Sequence, residues 1–209
     1  MKKVIIYSVQ EMLYDQVISF VRQHAPRRYQ YLNNFYKRED RYNSAIAYVL
    51  LCIAYNQIIE EFEIGKFGKP FFSCPNKFLS ISHSKEIVSV AVSDTAIAID
   101  CESNQSIDED IINMTFTTGE KKLVENGTVN KNTIWTAKES ISKLYNEDWY
   151  SYPRTEITFE DGEVYDKNNP DLFLEFIKIG RNSVCITSKR KEHSTIFQVS
   201  ESVILKMIK

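Results

Sequence analysis

The chain has 209 residues, of which 43% are apolar and 26% are charged, so it is long and apolar enough to fold around a core. Its 26 basic and 28 acidic residues give a net charge of −2, which argues against a chain whose overall field draws it to nucleic acid or to an anionic membrane. Neither the lysine-led start at 1–9 nor any later run is apolar for long enough to form a signal-peptide core or to cross a bilayer, so we expect a cytoplasmic protein.

The first half of the chain begins with a strand and a helix. Residues 4–7 form a short β-branched run, and 12–21 carries apolar residues at helical spacing. A longer apolar stripe predicts a mostly buried helix over 38–59. After a loop with two glycines and a proline at 65–70, short β-branched or alternating segments predict three successive strands of one antiparallel sheet, over 78–83, 87–93 and 95–101.

The second half also mixes helices and strands. Helices are predicted over 108–114, 119–125 and 132–146, and strands within 155–186, including 172–177 and 183–187. Each half thus holds a long helix and several strands. We therefore predict an α/β (α+β) fold of two similar α/β subdomains related by pseudo-twofold symmetry, each a small, mostly antiparallel sheet packed with a long helix. The N-terminal subdomain is predicted over 1–102 and the C-terminal one over 103–209.

The first candidate for chemistry is a strand that ends in two carboxylates, Asp100 and Glu102. In a strand, residues two apart point to the same face, so these side chains are predicted to lie side by side. Two such carboxylates repel each other unless a cation or several hydrogen-bond donors lie between them, and an all-oxygen site suits Mg²⁺. An acidic pair on a solvated surface is the alternative.

The second candidate is a stripe on the long helix, where Trp135, Glu139 and Lys143 follow at i, i+4 and i+8. An ordinary Glu139–Lys143 ion pair beside a packed tryptophan explains this pattern as well. Alternatively, Glu139, which is flanked by Lys138 and Lys143, completes a magnesium site as a third carboxylate while the lysines neutralise phosphates.

The third candidate is the strand end at Ser82 and His83, within the sequence SISHS at 80–84. Its functional interpretation is a contact to a phosphate or a ribose. A half-buried turn histidine is the alternative. A serine hydrolase is disfavoured because no glycine-flanked nucleophile turn is visible.

Four blocks of the chain, taken in order, resemble the 4′-phosphopantetheinyl transferases of the surfactin-synthetase type. The blocks are GKP at 68–70, SISHS at 80–84, DCE at 100–102 and WTAKES at 135–140. The resemblance runs from about residue 28 to residue 143. It implies a pseudo-twofold pair of α/β subdomains with coenzyme A in the cleft between them. The implied reaction transfers the phosphopantetheine arm of coenzyme A to a serine of an acyl or peptidyl carrier protein and releases 3′,5′-ADP.

The resemblance also implies roles for individual residues. Asp100, Glu102 and Glu139 would bind Mg²⁺, which holds the pyrophosphate of coenzyme A, and Glu139 and Lys143 would be the catalytic pair. The implied contacts to coenzyme A are Arg28, Lys69, Ser82, His83, Lys138 and Lys143. Glu120 matches a family glutamate at a helix start near the metal, with its role left open.

The chain departs from the family where the 3′-phosphate of coenzyme A is held. In the family's N-terminal basic stretch only Arg28 keeps its charge, because Tyr31 stands at the next basic position. Asn43 stands where an arginine is common, although Arg41 lies two positions earlier. The grip on the 3′-phosphate is therefore expected to be weaker or rearranged.

The implied partner is a carrier protein, which we expect to dock on 115–132, with Lys121, Lys122 and Leu123 as contacts. We expect a monomer that serves peptide or polyketide synthetases. Two alternatives stay open from the residues: a metal-dependent nuclease or phosphohydrolase, and a non-catalytic homologue that binds coenzyme A or a carrier protein. The near-neutral charge disfavours nucleic acid as the substrate.

Overall fold

A computed structural model describes residues 2–59, 62–65, 69–72, 77–103, 107–146 and 155–209. Over these ranges the chain is a mixed α/β protein with seven α-helices and several small sheets, which confirms the predicted fold class at that level. Within the same ranges, no helix combines the length and apolar character needed to span a membrane.

The described residues form eleven strands and seven α-helices. The strands are β1 (Lys2–Ser8), β2 (Glu63–Ile64), β3 (Pro70–Phe71), β4 (Phe78–His83), β5 (Ile87–Ser93), β6 (Ile97–Ser103), β7 (Ile157–Glu160), β8 (Glu163–Asp166), β9 (Phe173–Ile179), β10 (Asn182–Ser188) and β11 (Thr195–Val199). The helices are α1 (Tyr14–His24), α2 (Pro26–Leu32), α3 (Arg38–Tyr55), α4 (Glu109–Thr115), α5 (Thr118–Glu125), α6 (Lys131–Tyr145) and α7 (Glu201–Ile208), with a 3₁₀ turn at Glu11–Leu13. The predicted helices over 108–114, 119–125 and 132–146 are confirmed with small shifts of their ends.

The first sheet has the strand order β11-β1-β5-β4 and is covered on one face by α3. Its β1, β5 and β4 run antiparallel, whereas β11 joins β1 in parallel. α3 is buried on most of its surface, in agreement with the mostly buried helix that the sequence predicts. The helix is capped at its C-terminus by Asn56, whose φ of 53° is left-handed. This helix anchors the larger of the apolar clusters.

The second sheet has the order β6-β10-β9, and α6 packs on it. Ala98 of β6 and Cys185 of β10 meet Ile134, Ala137 and Ile141 of α6 in one buried cluster. The alternate residues of β6 and β10 point the other way and pack against the first sheet. The core is therefore layered as α3, first sheet, second sheet and α6.

The prediction that three successive strands over 78–101 share one sheet is wrong for the third strand. β4 and β5 do pair, but β6 pairs with β10 in the second sheet. The reason is that alternation along the chain marks a strand without identifying its neighbour. Elements also cross the predicted division at residue 102: β6 spans it and joins the second sheet, while β11 and α7 lie after it and pack with the first.

Candidate active site at the junction of the two sheets

The candidate site forms where β4 of the first sheet meets β6 of the second. Ser80 Oγ accepts the backbone N–H of Ile99 over 3.0 Å, and Ser82 Oγ accepts that of Cys101 over 3.2 Å. Because serines two apart lie on the same face of a strand, they can serve successive outward-facing N–H groups of the neighbouring strand. The serine side chains thus bring the end of β4 against Asp100.

The two carboxylates of β6 lie against side chains of α6. Trp135 Nε1 donates to Glu102 Oε1 over 3.1 Å, and Lys143 Nζ lies 2.6 Å from Asp100 Oδ1. Trp135 and Lys143 are two turns apart on α6, and Asp100 and Glu102 are two residues apart on β6. This face of α6 therefore packs against the face of β6 that carries the two carboxylates.

The acidic groups of the site act strongly on one another. Burial, followed by the negative charge of Asp100, raises the pKa of Glu102 to about 7, and the charge of Glu139 adds to this increase. The indole N–H of Trp135 opposes it. Burial also pulls the pKa of Lys143 down, but its ion pair with Asp100 and the charge of Glu139 outweigh burial, so this pKa is raised. One lysine thus faces three neighbouring carboxylates.

One oxygen of Asp100 suits a hard cation. Asp100 is buried, and its Oδ2 has no hydrogen-bond partner among the residues that the structure describes. A buried carboxylate oxygen without a donor is unfavourable, and a divalent cation bound by oxygen ligands would relieve it. As the side chains stand, no three His, Cys, Asp or Glu side chains of the described ranges are grouped closely enough to enclose an ion.

Ser82, predicted to contact coenzyme A, lies inside this cluster instead. It is buried, and its hydroxyl donates to Asp100 Oδ1 over 2.9 Å while Lys143 Nζ donates to it over 3.0 Å. The side chain therefore faces the carboxylate–lysine pair, and the expected hydrogen bond from this hydroxyl to the ligand does not fit the arrangement.

Lys138 and Glu120 face each other in the structure. They form an ion pair with 2.9 Å between Lys138 Nζ and Glu120 Oε1, and both side chains are completely buried. Lys138 Nζ also donates to the carbonyl and the hydroxyl of Thr155, and Glu120 accepts the backbone N–H groups of Ile157 and Thr117. The enclosed ammonium faces Glu120 and Thr155 in this arrangement, and its phosphate contact stays a prediction.

A second candidate subsite surrounds Arg28 on the other side of β4. Arg28 and His83 line a cavity of about 240 Å³ together with Tyr31, Phe35, Ser44, Ile64, Pro70 and Ile81. Arg28 is only 8% exposed, and its guanidinium lies 4.8 Å from the ring centre of Tyr31. One of its nitrogens, Nη2, donates to Ser44, whereas Nε and Nη1 have no partner within the described part of the chain. The guanidinium therefore presents two N–H-bearing nitrogens that an anion could occupy.

Two other basic candidates for contacts to coenzyme A, Arg41 and Lys69, donate to backbone carbonyl groups. Arg41 donates to the carbonyls of Leu32 and Phe35, so it holds the end of α2 rather than replacing the missing arginine at Asn43. Lys69 Nζ lies 3.4 Å from the carbonyl oxygen of Leu144 in α6, and burial lowers its pKa. Gly68, the first residue of the GKP block, lies outside the described residues.

His83 connects the two subsites. Its side chain is exposed and lines the cavity of Arg28, on the face of β4 opposite to Ser82. Desolvation by its surroundings lowers the pKa of His83, the charge of Lys143 adds to this decrease, and Asp40 and Asp100 oppose it. The charges of one subsite therefore reach the other.

The chain matches no protein-family profile and no curated protein sequence at a significant level. The resemblance to the transferase family therefore stays an inference from the four short blocks.

Two structural roles at the site were missed, although each has a sequence signal. Ser80 and Ser82 alternate on β4, which is the spacing needed to bridge to a neighbouring strand. Thr117 and Glu120 form a capping box at the start of α5, in which each side chain accepts the other's backbone N–H. The pattern T-x-x-E is a known helix-start signature.

Proposed function

We propose that this protein transfers the 4′-phosphopantetheine arm of coenzyme A to a serine of an acyl or peptidyl carrier protein and depends on Mg²⁺. The observation that carries the proposal is the ion pair between Lys143 and the buried Asp100, whose Oδ2 has no partner in the described chain. Glu102 lies beside this pair, and the charges of Asp100 and Glu139 both act on it. Asp100 and Glu102 belong to the DCE block and Glu139 to the WTAKES block, and both blocks carry the family resemblance. Lys143 follows the second block.

Asp100, Glu102 and Glu139 would hold the magnesium ion. When bound, a divalent cation neutralises charge on the phosphates of the substrate during transfer. Burial first, and then the charge of Asp100, raises the pKa of Glu102, and a cation beside the two carboxylates would offset both effects.

The cavity around Arg28 and His83 supports coenzyme A as the second ligand. A buried guanidinium with two unpartnered nitrogens suits a phosphate, which accepts charge-assisted hydrogen bonds. Coenzyme A carries a 3′-phosphate on its nucleotide and a pyrophosphate beyond it. Because Lys143 and Asp100 both influence His83, the two subsites are close enough to suggest one ligand with separate phosphate groups.

In the proposed step, the carrier serine oxygen forms a bond to the phosphorus that bears the pantetheine arm. The bond from that phosphorus to the bridging oxygen of the pyrophosphate breaks, and 3′,5′-ADP leaves. Glu139 accepts the serine proton, and Lys143 stabilises the negative charge that develops on the leaving oxygen.

The α4–α5 region provides a docking surface for the carrier. Ile111 and Met114 of α4 are exposed, and Lys122 of α5 is exposed nearby in the sequence. Apolar side chains rimmed by basic groups suit the acidic recognition helix of a carrier protein. Met114→Glu is expected to raise KM for the carrier while KM for coenzyme A stays unchanged; equal changes in both would contradict this placement.

The wider expectations of the family belong to the same proposal. They are two similar subdomains related by pseudo-twofold symmetry, a ligand cleft between them, a monomeric state and a cytoplasmic location. Size-exclusion chromatography with light scattering tests the monomer, for which a dimeric mass is the contrary result.

The intact mass of an apo carrier protein, incubated with this protein, coenzyme A and Mg²⁺, tests the function. We expect the gain of one phosphopantetheine arm, and no gain with EDTA or with Asp100→Asn. A protein that binds coenzyme A but modifies no acyl, peptidyl or aryl carrier would favour a non-catalytic binder. Hydrolysis of simple phosphoesters without coenzyme A binding would favour the phosphohydrolase.

A further inference from the structure

Ser82 occupies the centre of a closed set of hydrogen bonds. Its hydroxyl donates to Asp100 Oδ1 over 2.9 Å and accepts from the backbone N–H of Cys101 over 3.2 Å and from Lys143 Nζ over 3.0 Å. A serine hydroxyl has one proton to donate and two lone pairs to accept with. Every hydrogen-bonding capacity of Ser82 is therefore used within the protein.

The bonds of Ser82 determine which oxygen of Asp100 is occupied. Both Ser82 and Lys143 donate to Oδ1, and they also contact each other. The second oxygen, Oδ2, is buried and has no donor in the described chain. A carboxylate held by two donors on one oxygen cannot turn that oxygen away without breaking both bonds.

We propose that Ser82 is a positioning residue, which locks Asp100 and Lys143 together on Oδ1 and so keeps Oδ2 available as a ligand for the divalent cation. This inference rests on the proposed magnesium site. It assigns to Ser82 an indirect role through Asp100, in place of a direct contact to coenzyme A.

The physical consequence of losing the hydroxyl follows from these bonds. In Ser82→Ala, Asp100 Oδ1 loses one of its two donors, and the ammonium of Lys143 loses the acceptor that holds it beside that oxygen. Lys143 can then pair with either oxygen of Asp100 and compete with the cation. Removing a hydrogen-bond partner of a metal-ligating carboxylate typically weakens metal binding by about 10–100-fold.

Ser80 provides a matched control on the same strand. It is buried like Ser82 and accepts a backbone N–H of β6, that of Ile99 over 3.0 Å. Within the described residues, its hydroxyl makes no hydrogen bond to Asp100 or Lys143. Ser80→Ala therefore removes the same kind of strand-bridging bond without touching the carboxylate.

The experiment measures Mn²⁺ binding to the full chain by electron paramagnetic resonance, without coenzyme A or a carrier. Mn²⁺ is a suitable probe because it shares the preference of Mg²⁺ for oxygen ligands. We expect Ser82→Ala to raise the Kd for Mn²⁺ at least about 10-fold and Ser80→Ala to leave it within about two-fold. Ser82→Cys preserves the size of the side chain while its thiol is a weak donor, so it provides the same comparison if the alanine variant does not fold.

The outcomes separate this inference from the function on which it rests. Unchanged binding in Ser82→Ala, or equal weakening in Ser80→Ala, would overturn the positioning role while leaving the metal site in place. Failure of the unmodified protein to bind Mn²⁺, with Asp100→Asn giving the same blank result, would overturn the magnesium site and the role of Ser82 together.

Discussion

Lys143 Nζ and Asp100 Oδ1 lie 2.6 Å apart and join the last turn of α6 to the middle of β6. Asp100 is almost fully buried, whereas the Lys143 side chain is 28% exposed. The lysine therefore bridges between an enclosed carboxylate and the open side of the site. The ammonium of Lys143 donates two of its three hydrogens to Asp100 and Ser82, and the third can pair with an anionic ligand.

The first prediction concerns the charge of Lys143. Lys143→Met keeps the aliphatic length of the side chain but removes the ammonium that would stabilise the leaving 3′,5′-ADP. We expect kcat for carrier modification to fall on the order of 100-fold, while KM for coenzyme A changes much less. Steady-state kinetics by carrier mass measures both constants.

Lys167→Met is the matched control for this change, because it removes the same charge from an exposed lysine that directly follows β8. A kcat for Lys143→Met that equals the control value would show that the ammonium does not act in the transfer step.

The second prediction concerns the buried pair of Lys138 and Glu120. Lys138→Met leaves the carboxylate of Glu120 enclosed without its counter-charge, and breaking a buried pair in this way destabilises a protein by about 3–5 kcal/mol. We expect the free energy of unfolding to fall by that amount in urea denaturation followed by circular dichroism, with Lys167→Met changing it by less than about 1 kcal/mol.

This measurement also decides between the two roles given to Lys138. A variant that is as stable as the unmodified protein but binds coenzyme A weakly would support the phosphate contact that the sequence predicts. A variant that is unstable, and that keeps its affinity for coenzyme A under conditions where it is folded, matches the ion pair.

The sequence predicted that Asp100 and Glu102 share a face of β6 because a simple periodicity controls it, whereas their meeting with α6 was implied by the family resemblance alone. Residues two apart on a strand and four or eight apart on a helix share a face, so spacing alone placed Trp135 and Lys143 on one stripe of the helix. The family resemblance assigned Lys138 to the ligand, but helical geometry turns it away from that stripe. Its partner Glu120 is 18 positions away on another helix, a distance that no local periodicity covers.

The sheet that each strand joins could not be predicted from local sequence either, because the pairing strands are far apart in the chain. β6 follows β5 in the chain but pairs with β10, more than 80 positions later, and β11 returns to β1 from the far end. Neither α2 nor α7 was predicted, and both are short, with seven and eight residues. Such pairings depend on which apolar faces meet in the folded core, and the strand pattern itself is the same for either neighbour.

The third prediction concerns Arg28 and the 3′-phosphate of coenzyme A. Arg28→Met removes the two unpartnered guanidinium nitrogens from the cavity, and hydrogen bonds to charged groups contribute about 1.5–3 kcal/mol each. We expect KM for coenzyme A to rise about 10–100-fold, whereas KM for dephospho-coenzyme A, which lacks the 3′-phosphate, stays nearly constant. Initial rates with the two substrates measure this difference.

Arg27→Met removes the same charge from the neighbouring, exposed position of α2 and serves as the control. If Arg28→Met weakens both substrates to the same extent, the guanidinium contacts a part of the ligand other than the 3′-phosphate. The cavity would then need a different phosphate or a carboxylate as its occupant.

The fourth prediction concerns Glu139, to which the proposal gives two tasks, holding the metal and accepting the serine proton. Glu139→Gln keeps the size of the side chain and one carbonyl oxygen, but an amide cannot accept the proton. We expect turnover at saturating Mn²⁺ and coenzyme A to fall by about 10²–10⁴-fold, with a smaller change in the Kd for Mn²⁺. Glu163→Gln removes an exposed carboxylate at the start of β8 and serves as the control.

The comparison at saturating metal separates the two tasks of Glu139. If high Mn²⁺ restores full turnover, Glu139 only holds the cation and another group accepts the proton. If turnover stays low although Mn²⁺ and coenzyme A are both bound, the carboxylate acts in the proton transfer itself. Near-normal turnover at low metal would remove Glu139 from both roles and leave Asp100 and Glu102 as the carboxylates of the site.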